Sequence, residues 1–449
     1  MFTYVSMKNF RSFSNICFNL EKRKDTPKKI AVVYGANGSG KTTLVHIFAL
    51  LKRTLVTMRS RDMLKDIFEN RIPIPKGTPI KSEVILDMIK SRLSNHEIEN
   101  IIEEYKLKNS KENMVLEYGF VLDGSTGMYY IEMDGTSIIR ERLEYKINKK
   151  RGCLFDIQKD FVVINSNVFL TEEFSLNIKN QIDMYWGKHT LLSILFFEMG
   201  DKTKEYIEKN VCENILKIIN YFMQINYKIK NDHSADNMSL CVDAPMLCDF
   251  ESGIIRKKDV DLLNKLEKIL DKIIKALYTN VEKAYYKKVE NENSIEYELI
   301  LTKRIKNNVF DISFAAESTG THELFDLLPY LVKAIDNKFV IIDEFGNGIH
   351  DLLTVKLIES INKLIKGQLI ITTHNTLLMD QIVIKPEALY FIMVDGFDKN
   401  IKCVTDIEER LHPKYNYRNR YLTNDLYKDA LPKLKNLSLD ELVVLYKEK

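Results

Sequence analysis

The run Gly35-Ala36-Asn37-Gly38-Ser39-Gly40-Lys41-Thr42 constrains this chain more than any other feature. It fits the spacing G-x-x-x-x-G-K-[ST], and it stands between the two segments such a loop requires. Ile30 to Tyr34 is an apolar, β-branched run that predicts a buried strand. From Thr42 onward, Leu44, Val45, Ile47, Phe48, Leu50, Leu51 and Leu55 predict a helix buried on most faces. Glycines let the backbone close around an anion, and a helix N-terminus offers N–H groups to phosphate oxygens.

A distal set of segments supplies the acidic chemistry that a phosphate loop lacks. Phe339 to Ile342 reads as a continuous apolar strand that closes on Asp343-Glu344. Ser318-Thr319-Gly320-Thr321 precedes an apolar helix built on Leu324, Phe325, Leu327, Leu328, Leu331 and Val332. Gln368 to Thr372 is another buried strand, and it runs into Thr373-His374-Asn375. Strand, helix, strand is the rhythm of a parallel sheet, whose ligands gather at the carboxyl ends of its strands. Asp343, Glu344 and His374 all fall at such ends.

Each residue type has work to do in phosphoanhydride hydrolysis. Gly35, Ala36, Asn37, Gly38, Ser39 and Gly40 would wrap the phosphates, continued by Lys41, Thr42 and Thr43 at the helix start. Lys41 would neutralise phosphate charge. Thr42 and Asp343 would hold Mg²⁺, Glu344 would polarise the attacking water, and His374 would hydrogen-bond the terminal phosphate. Blander roles stand beside these. Asp343-Glu344 could cap a helix, His374 could be a satisfied core histidine, and Ser318 could be a simple N-cap. His350 stays open between the two kinds of role.

A chain of 449 residues with 45% hydrophobic content is globular and long enough for two or three lobes. The densest apolar run, Leu191 to Phe197, is too short to span a bilayer, so no membrane contact is expected. The first residues, Met1 to Lys8, alternate like a strand and lack a signal-peptide pattern. The six cysteines include no C-x-x-C pair, which points to reduced thiols and a cytoplasmic location. A net charge of +3 does not argue for nucleic acid, although DNA or RNA contact stays open.

Met1 to Leu20 predicts strand, turn, strand. Arg71 to Pro79 predicts a loop and Lys81 to Tyr105 a polar helix. Met114–Leu122, Met128–Met133 and Ser137–Ile147 predict a meander with turns at Asp123-Gly124 and Asp134-Gly135. Ile178 to Lys288 reads as helical, and Ile295–Leu301 and Val309–Phe314 return to strands. The expected divisions are 1–60 (loop-bearing head), 61–177 (meander and connecting helices), 178–290 (helical insertion or lid), 291–395 (distal part of the head) and 396–449 (tail).

In that order, the motifs resemble the ABC-type ATPases, the family that includes SMC and repair ATPases. Within it the chain resembles the OLD-related bacterial anti-phage ATPases, the group of RloA, AbiLi and AriA. Lys8-Asn9-Phe10-Arg11-Ser12-Phe13, Glu317 to Thr321, Asp343-Glu344 with His350, Thr372 to Asn375, and Tyr415 to Leu422 with Ala430-Leu431-Pro432 carry that resemblance. It implies an α/β fold: a P-loop ABC-type head of N-terminal antiparallel β and parallel core sheet, with a helical insertion or lid. It also implies ATP and Mg²⁺ as ligands, and a homodimer or higher oligomer. Ser318 and Gly320 would then reach the ATP held by the opposite subunit. His322-Glu323 departs from the group's pattern, as does Phe345 to Asp351. Only 75 residues follow His374, too few for a Toprim nuclease domain, so a separate effector, Toprim-like by resemblance, is the expected partner. An SMC-like DNA-maintenance ATPase is the alternative.

Overall fold

The computed structural model describes residues 1–68, 90, 93–148, 150–230, 249–395, 398–406 and 416–423. The chain divides into two compact units, one formed by Met1–Met223 with Ile370–Lys449 and the other by Gln224–Leu369.

The first unit begins with β1 (Phe2–Phe10) and β2 (Phe13–Asn19), antiparallel, their buried residues alternating as half-buried strands require. A small hairpin, β3 (Glu21–Arg23) and β4 (Thr26–Pro27), leads to β5 (Ile30–Tyr34), in which every residue is buried. The phosphate-loop helix α1 runs Lys41–Phe68 and is buried on most faces along its first half, as its sequence predicts. The short helix α2 (Ile98–Tyr105) follows; the expected loop 71–79 and most of the helix expected over 81–105 lie outside the described residues.

The meander comprises β6 (Met114–Leu122), β7 (Ser125–Met133), β8 (Ile138–Ile147), β9 (Lys150–Gln158) and β10 (Phe161–Ile164). It extends β1 and β2 into one sheet of order β10-β9-β8-β7-β6-β1-β2. Asp123 (φ 49°) and Gly124 (φ 71°) make the left-handed pair that a two-residue hairpin needs. Strands β9 and β10 were not expected, because β9 opens on the charged Lys150-Arg151, which reads as loop. Four helices close this stretch: α3 (Glu172–Tyr185), α4 (Leu191–Asp201), α5 (Lys204–Asn210) and α6 (Glu213–Met223). Helix α1 packs against α4 and α6, and Phe2, Phe48, Tyr118, Phe120, Tyr129 and Phe222 form an aromatic core.

The second unit holds β11 (Asn226–Lys228), β12 (Ser252–Arg256), α7 (Val260–Leu277), β13 (Val281–Glu290), β14 (Ser294–Ile305) and β15 (Asn308–Ser313). It continues with α8 (Thr319–Ile335), β16 (Phe339–Ile342) and α9 (Asp351–Leu364). Strands β12, β14 and β13 form an antiparallel sheet with β15 also on β14, and β11 pairs parallel with β16. The stretch 178–290 is therefore not helical throughout. Val281, Tyr285, Tyr286 and Val289 give β13 strand character, and pairing with β14 overrides the helical reading of its lysines. Helix α7 buries Leu263, Leu266, Leu270 and Ile274 on one stripe and packs on β13.

Strand β17 (Gln368–Thr372) crosses the boundary between units, and the chain completes the first unit with β18 (Leu389–Asp395), β19 (Asp398–Cys403) and α10 (Tyr417–Leu422). Strand β18 runs parallel to β5 and β19 returns antiparallel. The fold is thus mixed α/β, an antiparallel N-terminal sheet together with buried parallel strands. No helix among the described residues is long and apolar enough to cross a membrane.

Candidate nucleotide site

Strand β5 delivers the loop and α1 receives it. Gly38 (φ 76°) and Gly40 (φ 111°) adopt left-handed backbone that a side chain would strain. Gly40 is doubly fixed, because a Cβ there would lie 2.5 Å from the Phe13 ring. Asn37 and Gly38 face solvent, while Lys41 is only 7% exposed and donates from Nζ to Gly35 O (2.8 Å) and Ala36 O (3.1 Å). Thr43 Oγ1 lies 3.4 Å from Ser12 Oγ, which ties the helix start to the β1–β2 turn.

The loop fits a phosphate chain. Ser39 Oγ is buried without a hydrogen-bond partner among the described residues, a donor left for an anion. Lys41 and the N-terminal turn of α1 add positive charge. Thr42 stands partly exposed in that first turn, and Asp343, in the second unit, is 5% exposed. A hydroxyl and a carboxylate are the hard oxygen donors that Mg²⁺ takes.

His374 belongs to the same unit as the loop. Thr373 N donates to Val33 O (3.2 Å), so the end of β17 lies beside β5. Tyr34 Oη donates to Asn375 O (3.1 Å), and Arg418 Nε in α10 to Thr376 Oγ1 (3.2 Å). His374 itself is exposed and is not a core histidine. The described part of the tail motif serves this framework: Tyr421 packs on Tyr34 and Phe391.

The second unit carries the acidic strand and the Ser-Thr-Gly turn. Asp343 N donates to Lys228 O (2.8 Å) as β16 ends. Glu344 has φ 49°, and its Oε2 pairs with Lys230 Nζ (2.5 Å) and accepts from Asn347 Nδ2 (3.3 Å). The N-cap of α9 is His350 rather than either carboxylate, and its Nδ1 accepts from Leu352 N (3.3 Å). Ser318 is the N-cap of α8, accepting at Oγ from Thr321 N (3.3 Å). Gly320 has a packing reason as well: a Cβ there would lie 2.4 Å from Gly348 O, in the turn that follows Glu344. His322 pairs with Glu251 (2.7 Å) and Glu323 with Lys228 (3.5 Å), so both unusual residues of the signature are held within the unit.

Two cations escaped the sequence reading. Lys230 meets Glu344, and Lys399 in β19 donates to Gly38 O (3.0 Å). Neither sits in a motif, and only the tertiary arrangement brings them to these groups.

A family profile described as "AAA domain" matches residues 4–309, and a second, "AAA domain, putative AbiEii toxin, Type IV TA system", matches residues 249–380. No curated protein matches. Among solved structures, the SMC head domain from Thermotoga maritima is 13% identical, with a TM-score of 0.37 over 90% of this chain and 98% of that one. With the first profile spanning most of its length, this chain belongs to the AAA-domain family of P-loop proteins.

Proposed function

We propose that this protein binds and hydrolyses ATP with Mg²⁺. The observation that carries the reading is the loop itself: left-handed Gly38 and Gly40, a buried Lys41, and a buried Ser39 hydroxyl without a partner among the described residues. Gly35 to Thr43 hold the phosphates, with Lys41 as the principal cation. Thr42 and Asp343 would hold Mg²⁺, and the ion would supply charge stabilisation to the phosphoryl oxygens. Glu344 accepts a proton from the attacking water, and His374 donates to the terminal phosphate. Ser318 and Gly320 act on nucleotide held by a second copy of the chain, which makes self-association part of the mechanism.

We further propose a regulatory role in bacterial anti-phage defence, acting on a separate effector. The toxin–antitoxin description of the profile over residues 249–380 supports this, together with the motif order. Fluorescent-ATP binding and phosphate release test the enzyme reading. Lys41→Ala should abolish binding, and Glu344→Gln should bind ATP while losing at least about 100-fold in turnover. Turnover unchanged in Glu344→Gln would remove Glu344 from the mechanism. Loss of phage protection in cells carrying Lys41→Ala tests the defence role.

A further inference from the structure

Lys399 reaches the phosphate loop from β19, a strand remote from it in sequence. Its Nζ donates to Gly38 O at 3.0 Å and lies 5.8 Å from the centroid of the Phe13 ring. Phe13 is the buried ring against which Gly40 packs, so Lys399 belongs to the layer that shapes the loop. Among the described residues Lys399 makes no ion pair; its contacts are a carbonyl and the face of a ring. Partial burial pulls its pKa below the usual lysine value.

A partly desolvated ammonium that meets no carboxylate among the described residues is stabilised only weakly by such dipoles, and it gains most from an arriving anion. Gly38 is exposed, whereas Lys41 is buried at the other end of the loop. The two cations therefore approach the loop at different points. We propose that Lys399 is a second phosphate-binding cation, which exchanges Gly38 O for an oxygen of the bound nucleotide's phosphate chain. Its flexible four-carbon stem with rotatable donors permits that exchange without moving β19. The assignment rests on the nucleotide reading above and adds a phosphate-binding residue to it.

The test uses the full chain and titrates ATP and ADP into wild type, Lys399→Gln, Lys399→Arg and Lys41→Ala, at low and high salt. Glutamine keeps an N–H donor for Gly38 O but removes the charge. Lys399→Gln should weaken ATP about 10-fold and reduce the salt dependence of binding, because a charge-assisted hydrogen bond is lost. Lys399→Arg should stay within about 3-fold of wild type. The thermal midpoint without nucleotide should be the same in wild type and in both Lys399 variants. Wild-type affinity in Lys399→Gln would overturn the proposal. So would a lowered midpoint without nucleotide in both Lys399 variants, which would mark a strut for the loop. A wild type that binds no ATP, or a Lys41→Ala that binds it normally, would instead sink the underlying nucleotide reading.

Discussion

Glu141 is the most informative residue to perturb outside the loop. It lies on β8, fully buried, and its carboxylate accepts from Tyr129 Oη (2.9 Å), Trp186 Nε1 (3.1 Å), Leu191 N (2.6 Å) and Leu192 N (3.4 Å). Burial pushes its pKa from 4.5 up to about 7, against the pull of those four donors. The folded protein therefore holds this proton more tightly than the unfolded chain does. The resulting stability is complete below about pH 4.5 and drains away as pH rises to about 7, a loss of about 3 kcal/mol at 1.36 kcal/mol per unit. Glu141→Gln abolishes the titration. Its single oxygen serves two donors, and its amide nitrogen faces the others, so at pH 5 the variant should be about 1–3 kcal/mol less stable than wild type. That deficit should shrink by about 3 kcal/mol between pH 5 and pH 8 as the wild type loses its own advantage. Urea unfolding followed by tryptophan fluorescence is the natural assay, because Trp186 is the one tryptophan of the chain and it donates to Glu141. Other titrating groups, His189 among them, are common to both proteins and cancel in the difference. A deficit that grows toward pH 8 would refute the reasoning. It would show that the four donors hold the carboxylate ionised despite its burial.

His189, bonded to Thr57 Oγ1 (3.0 Å), has its pKa lowered to about 4 by burial and by Arg61 and Lys188. The unfolded chain protonates it first, so His189→Gln should remove about 3 kcal/mol of acid sensitivity between pH 6.5 and pH 4, read from urea midpoints. Gly320→Ala drives a methyl toward Gly348 O at 2.4 Å and should cost about 1–3 kcal/mol, with turnover lowered through the turn after Glu344. A stable Gly320→Ala protein with normal turnover would show that the two turns are not coupled. Ser318→Ala should lose about 1 kcal/mol as an N-cap in thermal unfolding, whereas Ser318→Thr should keep it.

What could be read ahead of the structure was local. Strand β5, the loop and α1 are contiguous, so spacing and hydrophobic pattern sufficed to place them. The β6–β7 turn followed from Asp123-Gly124, whose left-handed backbone is a property of those residue types. Strand β13 failed because most of its lysines and glutamates are exposed and its pairing partner, β14, is what makes it a strand. Glu141 had a readable signal that went unused. It shares the buried face of β8 with Leu143 and Tyr145 at alternate positions, where a carboxylate demands donors. Lys230 and Lys399 had no such signal, since an isolated lysine in a lysine-rich chain acquires meaning only from the carboxylate or carbonyl beside it.

The motif residues of the second unit make local and chemical roles hard to separate by simple deletion. Ser318 caps α8, His350 caps α9, and Gly320 lets the start of α8 approach the turn after Glu344. Each has a structural reason to be the residue it is, whatever ligand it meets. Loss of turnover in Ser318→Ala would thus mix a frayed helix start with a missing phosphate contact. The hydroxyl-retaining Ser318→Thr keeps the cap but adds a methyl at an exposed position, where a second copy of the chain would have to approach. Normal stability with lost turnover in Ser318→Thr would separate the two, because a cap needs only the oxygen while a close phosphate contact across two copies also needs the space. Full turnover in Ser318→Thr would leave capping as the sufficient account of that serine.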